Sequence, residues 1–292
     1  MHRPSLLLAL GVLTTAAVAC APANDTAQPS GNAASGSPAA AASCTKDQLK
    51  LVTPGKLTVG TDKPAYEPWF KDDDPANGEG FESAVAYAVA GKLGFTKDEV
   101  AWTTVPFDSA YAPGDKKFDF DLNQVSITPD RAKVVDFSEG YYTVKQGVVT
   151  LNGGKYASAT GLADLKDATI GVQVGTTALD AVKSVVQPAK EAKVYTQQVD
   201  AVNALKNKQV DAIVVDLPTA FYVTAAQVEN SKIVGQFAAT GGTPEEFGLV
   251  FQKGNALVSC VNEAIGALKS SGELAQIEQQ WLSAAAGAPE MK

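Results

Sequence analysis

Ser126-Ile127-Thr128-Pro129-Asp130-Arg131-Ala132-Lys133, with Val135-Asp136-Phe137-Ser138 just behind it, brings a hydroxyl, a helix start and an arginine close together. Thr128 suits an N-cap, because its side-chain oxygen accepts from a free first-turn amide. Pro129 fits the first helical position, where a missing N–H costs nothing. The stretch therefore reads as a helix N-terminus with Ser126 beside it and the Arg131 guanidinium nearby, a receptor for a carboxylate. The same residues also suit a capped surface helix with an ordinary exposed arginine, so the surroundings must decide.

On either side, strand and helix patterns alternate. Leu57-Thr58-Val59-Gly60 reads as a short buried strand, and Phe81, Val85, Val89 and Leu93 recur at helical spacing. Phe118 to Leu122 alternates apolar residues with Asp, and Gly147 to Leu151 is rich in β-branched residues. Ile170 to Val174 precedes a helix from about Thr177, Asp200 is placed to cap a helix over Ala201 to Asn207, and Val210 to Val215 is a buried strand. Val258–Lys269 and Leu274–Leu282 are amphipathic helices separated by Gly272. The pattern predicts an α/β chain with mostly parallel strands.

In such sheets ligands sit beyond the carboxyl ends of the strands. The polar residues there are Asp62, then Asn123-Gln124-Val125-Ser126, then Gly175-Thr176-Thr177, then Asp216-Leu217-Pro218. Each has a local use: Asp62 as a turn former, Thr176 or Thr177 as a helix cap, Asp216 as an N-cap. Four such loops at strand ends of one fold point instead to a binding cleft.

The first residues have the form of a secretory signal over 1–19: Arg3, an uncharged apolar stretch from Leu6 to Val18, and small residues before Cys20. Cysteine at that point suggests a lipobox with Cys20 acylated, although Ala17 stands where such boxes usually carry Leu. The alternative is cleavage elsewhere and a free Cys20. Residues 21–43 are small and polar, with Asp25 the only charge, and read with Cys20 as a disordered tether over 20–43. Such a tether reaches roughly 25–30 Å on average. The expected location is outside the cytoplasm, anchored to the outer face of the cell membrane. Formal charge is −8, or −9 once Arg3 leaves with the signal, which argues against nucleic acid as a partner. Cys44 and Cys260 remain as a pair in an oxidising compartment, either bridged or as one buried and one exposed thiol.

The chain resembles the polar amino-acid-binding family of bacterial extracellular solute-binding proteins, the receptors of ABC importers. The resemblance is carried in order by Val59-Gly60-Thr61-Asp62, Tyr66-Glu67-Pro68-Trp69, Gly80-Phe81-Glu82, Ser126 to Arg131, Val135 to Ser138 with Tyr141-Tyr142, Gly171 to Thr177, Ala204-Leu205-Lys206, Val210-Asp211-Ala212 with Asp216-Leu217-Pro218, Phe247-Gly248-Leu249, and the helix from Gly272 to Trp281. It implies a two-lobed periplasmic-binding-protein-like α/β fold with two hinge strands and a ligand cleft between the lobes. Lobe one would be 44–143 plus 244–285, lobe two 147–241, and 286–292 a C-terminal tail. Both Cys44 and Cys260 then fall in lobe one, where a bridge leaves the hinge free.

The resemblance also implies a division of labour. A free amino acid carries a carboxylate and an ammonium, and both need partners once water is removed. Arg131 would clamp the carboxylate, helped by Ser126 and the amides around Thr176 and Thr177, and Asp216 on the other lobe would accept from the ammonium. Tyr66 and Phe107 would wall the side chain, and Asp62 and Gln173 would face its polar end. Gln124 stands where the family commonly has Gly or Ser, bringing a longer polar group to the pocket. Lys63 lengthens the loop between Asp62 and Tyr66. The expected ligand is a polar or cationic amino acid, with glutamine and the basic ones favoured. The expected partner is an ABC permease; no cofactor is expected, and the chain should be a monomer.

Two other functions fit the same fold. One is a cleft enzyme of the dehydratase type; His2 is the sole histidine and lies in the signal, so only a carboxylate mechanism at Asp62 or Glu67 is open to it. The other is a sensor that hands its signal to a membrane receptor.

Overall fold

The computed structural model describes residues 44–239, 244–283 and 287–292. The signal at 1–19, Cys20 and the tether up to residue 43 lie outside the described residues. Among the described residues no helix is long and apolar enough to cross a membrane.

The chain first builds β1 (Leu57–Thr61), α1 (Phe81–Lys92), β2 (Val100–Thr104), the short α2 (Phe107–Ala110), β3 (Phe120–Asp121) and β4 (Val135–Phe137). It leaves this group on β5 (Tyr142–Val144) and enters a second through β6 (Gln146–Leu151). There it forms β7 (Ile170–Gln173), α3 (Thr177–Ala181), β8 (Lys193–Tyr195), α4 (Gln198–Lys206), β9 (Ala212–Asp216), α5 (Leu217–Tyr222) and β10 (Ser231–Phe237). It returns on β11 (Glu245–Phe247) and ends with β12 (Val250–Gln252), α6 (Leu257–Ser270) and α7 (Glu273–Leu282). The outgoing β5 and returning β11 pair antiparallel, Val144 opposite Glu245 and Tyr142 opposite Phe247. This two-stranded ribbon joins the lobes.

Lobe one has the sheet order β2-β1-β3-β12-β4, and lobe two β10-β6-β9-β7-β8. The expectation of mostly parallel strands needs correction, because both sheets are mixed. β1 runs parallel to β2 and β3, and β7 parallel to β8 and β9. The strands fed by the hinge, β12 and β6, run antiparallel to their neighbours. A strand arriving from the ribbon enters at the cleft end of the sheet, whereas the βαβ strands finish there.

Burial agrees with the sequence pattern. Every residue of β1 is buried, and Phe81, Val85 and Val89 put one face of α1 into the core of lobe one. That core also takes Val261, Ile265 and Leu268 of α6. Cys44 is bonded to Cys260 on α6, which fastens the start of the described chain to lobe one. Lobe two packs Ile170, Val172, Ala212 and Val214 on one side of its sheet and Val149, Ile213 and Leu205 on the other.

Two local expectations are overturned. Thr128 Oγ1 does accept from the Arg131 amide at 3.2 Å, but the helix there is one 3₁₀ turn, Arg131–Lys133, not an α-helix. The cause is β4, which takes the chain back into the sheet at Val135. A single turn has too few aligned peptides to form the dipole expected there. Asp200 is not the cap of α4: that helix starts at Gln198 with Gln197 as N-cap, and Asp200 lies inside its first turn. The C-terminal segment adds to the edge of lobe two. Gln236 on β10 donates its amide to Pro289 O at 2.7 Å and accepts from the Met291 amide at 2.8 Å. Met291 fills the space left by Gly235, where a Cβ would lie 2.2 Å from its Cγ.

Candidate functional site

The carboxyl ends of β1, β3, β7 and β9 face one cleft between the two sheets, with about 790 Å³ of empty space including its open mouth. The ten residues expected to bind the ligand all line it: Asp62, Tyr66, Phe107, Gln124, Ser126 and Arg131 from lobe one, and Gln173, Thr176, Thr177 and Asp216 from lobe two, whereas Glu67 is not among the lining residues. A concave site with a few converging polar groups suits a small molecule.

Arg131 is buried, and its guanidinium carbon stands 4.3 Å from the centroid of the Tyr111 ring and 5.7 Å from that of Phe107. Stacking of this kind fixes the plane of the fork. Nη1 donates to Ser126 O at 2.8 Å, and Nη2 reaches across the cleft to Gly175 O at 2.8 Å. Tyr111 Oη donates to the same carbonyl at 3.2 Å. Gly175 is required at that crossing: its φ is +73°, and a Cβ would lie 2.4 Å from Tyr111 Oη. Burial disfavours the charged guanidinium and lowers its pKa from the ordinary arginine value.

Thr176 caps α3, its Oγ1 accepting from the Leu179 amide at 3.2 Å and donating to Gln173 O at 2.9 Å. Its hydroxyl is thus committed to the fold. The start of α3 offers a ligand the amides of Thr177 and Ala178 instead, which have no intrahelical acceptor.

Asp216 ends β9 and precedes Pro218, but its side chain makes no cap hydrogen bond to α5. It points instead to Gln146 Nε2, which donates to Asp216 Oδ1 at 2.9 Å and to Glu245 Oε2 at 3.2 Å. Burial first, and then the neighbouring Glu245 charge, push the Asp216 carboxyl up to about 8. The empty cleft therefore holds this carboxyl in its protonated form, and an incoming cation beside it would favour the ionised one.

Gln124 has φ +50° and turns its side chain to Glu82 rather than to the cleft. Its backbone amide donates to Glu82 Oε1 at 2.7 Å and its side-chain amide to Oε2. Tyr141 Oη also donates to Glu82. Glu82 is completely buried, and burial raises it to about 7 despite these three donors. Gln124 thus lines the cleft while its polar end is spent on the lobe-one core. Asp62 is partly exposed, accepts from the Lys63 amide at 2.7 Å and the Phe107 amide at 3.3 Å, and is raised by burial. The loop that holds it also supplies Tyr66.

Further residues that the sequence does not single out either line the cleft or brace residues that do. Gln197 and Gln198 line it just after β8, where the strand-end rule would find them. Tyr111 stands four residues after Phe107, one turn along, and that spacing is the available signal. Glu245 and Gln146 lie on the two crossing segments, and nothing in their local sequence marks them.

Residues 57–284 match the bacterial extracellular solute-binding proteins, family 3. The chain belongs to that family. This solute-binding protein is 30% identical over 235 residues to the arginine-binding extracellular protein ArtP of Bacillus subtilis (strain 168), covering 78% of this chain and 86% of that one. Among solved structures it resembles an ancestral arginine-binding protein bound to arginine, with a TM-score of 0.65 and 33% identity over 78% of this chain and 98% of the other. It also resembles the ancestral amino acid-binding protein AncCDT-1, a precursor of cyclohexadienyl dehydratase, with a TM-score of 0.64 and 29% identity over 78% and 95% of the two chains.

Proposed function

We propose that this solute-binding protein captures a free polar amino acid between its lobes and delivers it to an ABC permease. The observation that carries the reading is the placement of Arg131 and Asp216, from opposite lobes, on one cleft. A zwitterion that pairs its carboxylate with Arg131 and its ammonium with Asp216 contacts both lobes at once, and so binds the closed state better than the open one. The aromatic walls Tyr66 and Phe107 leave Asp62 and Gln173 for the far end of the side chain, which favours an amide or a cation over an acid. The likeness to arginine-binding relatives supports the cationic choice. Cys20 carries a lipid that holds the monomeric body near the outer face of the membrane.

Calorimetric titration of the protein with each of the twenty amino acids tests the reading. One tight ligand or a small polar set is expected, with loss of binding in Arg131→Ala. An Arg131→Ala variant that binds as well as wild type refutes the site.

The likeness to a dehydratase precursor favours one second reading, a carboxylate-only dehydratase working at Asp62. Saturable binding of an amino acid, with no product formed from a prephenate-like substrate, decides against it.

A further inference from the structure

Glu245 opens β11, on the returning crossing, and its carboxylate collects donors from three separate parts of the chain. Ser126 Oγ of lobe one donates to Oε1 at 2.6 Å. Thr177 Oγ1 of lobe two donates to the same oxygen. Gln146 Nε2, on the outgoing crossing, donates to Oε2 at 3.2 Å. The two hydroxyl oxygens are thereby held 3.3 Å apart across the cleft.

One acceptor oxygen shared by a hydroxyl from each lobe survives only while the lobes are together, because these short hydrogen bonds are lost once the atoms part by about 1 Å. Three further bonds between the lobes end on uncharged acceptors: Arg131 and Tyr111 on Gly175 O, and Trp69 Nε1 on Thr219 Oγ1 at 2.9 Å. Glu245 differs from these in presenting a carboxylate, the same group that an amino acid brings. It presents it to Ser126 and Thr177, both of which line the ligand cleft.

We infer that Glu245 is a built-in latch, a carboxylate tethered to the hinge that holds Ser126 and Thr177 together before any ligand arrives. It is a positioning residue, acting through those two hydroxyls. A ligand must shift Glu245 off them, or bind in the fraction of molecules whose latch is open. Apparent affinity is then reduced by that fraction. The inference rests on the reading of the cleft as a ligand-closed receptor, but its main measurement needs no ligand.

The test is the distance between fluorophores placed at the exposed Asp115 of lobe one and Lys183 of lobe two, in protein freed of bound amino acid by unfolding and refolding. Ligand-free wild type is expected to be mostly closed. Glu245→Gln and Ser126→Ala are each expected to raise the open-to-closed ratio roughly tenfold or more, the scale of one hydrogen bond to a charged acceptor. Association of L-arginine with Glu245→Gln should quicken by a similar factor. Ligand-free wild type that is open, with a distribution unchanged by either variant, overturns the latch. So does a folded Glu245→Gln protein that no longer binds L-arginine while wild type does, since Glu245 would then be a ligand contact. If Glu245→Gln fails to fold, Ser126→Ala and the wild-type distribution still decide. Failure of wild type to bind any amino acid refutes the proposed function, and the ligand-free distances still judge the latch.

Discussion

Affinity for an amino acid should fall steeply as pH drops below 8, and the buried acid on β9 sets the size of the effect. In the empty cleft Asp216 is raised to about 8, so at neutral pH it holds a proton. An ammonium paired with it favours the ionised form. At about 4 Å and an effective dielectric near 20, that attraction is about 4 kcal/mol, which lowers the bound-state pKa by roughly 3 units. Ligand binding then releases nearly one proton between about pH 5 and pH 8, and affinity drops as the pH falls through that window. With these values L-arginine should bind about eightfold more weakly at pH 6 than at pH 7, and should differ by less than about twofold between pH 8 and pH 9. Calorimetry in buffers of different ionisation heat reads the proton directly, as a slope of about one at pH 7. Asp216→Asn should bind weakly and show no such slope. A wild-type affinity that is flat from pH 6 to pH 8 would refute the pairing of Asp216 with the ammonium.

Arg131→Lys keeps a charge but loses the fork and its fixed stack on Tyr111, and should weaken binding by about 1.5–3 kcal/mol in a calorimetric titration. Equal affinity would mean that no planar fork is used. Glu82 is raised in the folded protein to about 7 from an ordinary 4.5, so the folded state keeps a proton that the unfolded chain gives up. Stability should therefore be lost as pH rises through that window and level off above it, by about 3 kcal/mol from this group. Urea denaturation across pH 4.5–8 should show the Glu82→Gln variant with a shallower slope, and an unchanged slope would deny the assignment. Removing the Cys44–Cys260 bond, which spans a sequence separation of 216, should cost roughly 2–5 kcal/mol of stability. Because both cysteines belong to lobe one, ligand affinity should stay within about threefold, and a larger loss would mean that the bridge also shapes the cleft.

Much of the frame is legible in the sequence because its elements repeat a simple pattern. β1 and β9 are short apolar runs buried along nearly their whole length, and the apolar residues of α1 recur once per turn. The cleft residues are legible through strand ends, since polar residues there have a reason to face a ligand. Sequence and structure part where tertiary context outweighs a local signal. Thr128-Pro129 is a sound helix start, but the pull of β4 into the sheet stops the helix after one turn. The length of Gln124 suggests a reach into the pocket, whereas its positive φ aims it at a buried acid forty-two residues earlier in the chain. Glu245 is invisible for a similar reason. Its partners lie 119, 68 and 99 positions away, and the folded hinge alone brings them together.

The bond between Cys44 and α6 also has a mechanical consequence. Tension applied to the chain ahead of Cys44 passes through sulfur into the body of lobe one, and α6 is packed there against α1 and α7. Its covalent point of entry is α6, not a strand of the two-stranded ribbon. A pull on that end would therefore load lobe one directly, and lobe two would feel it covalently only through the ribbon.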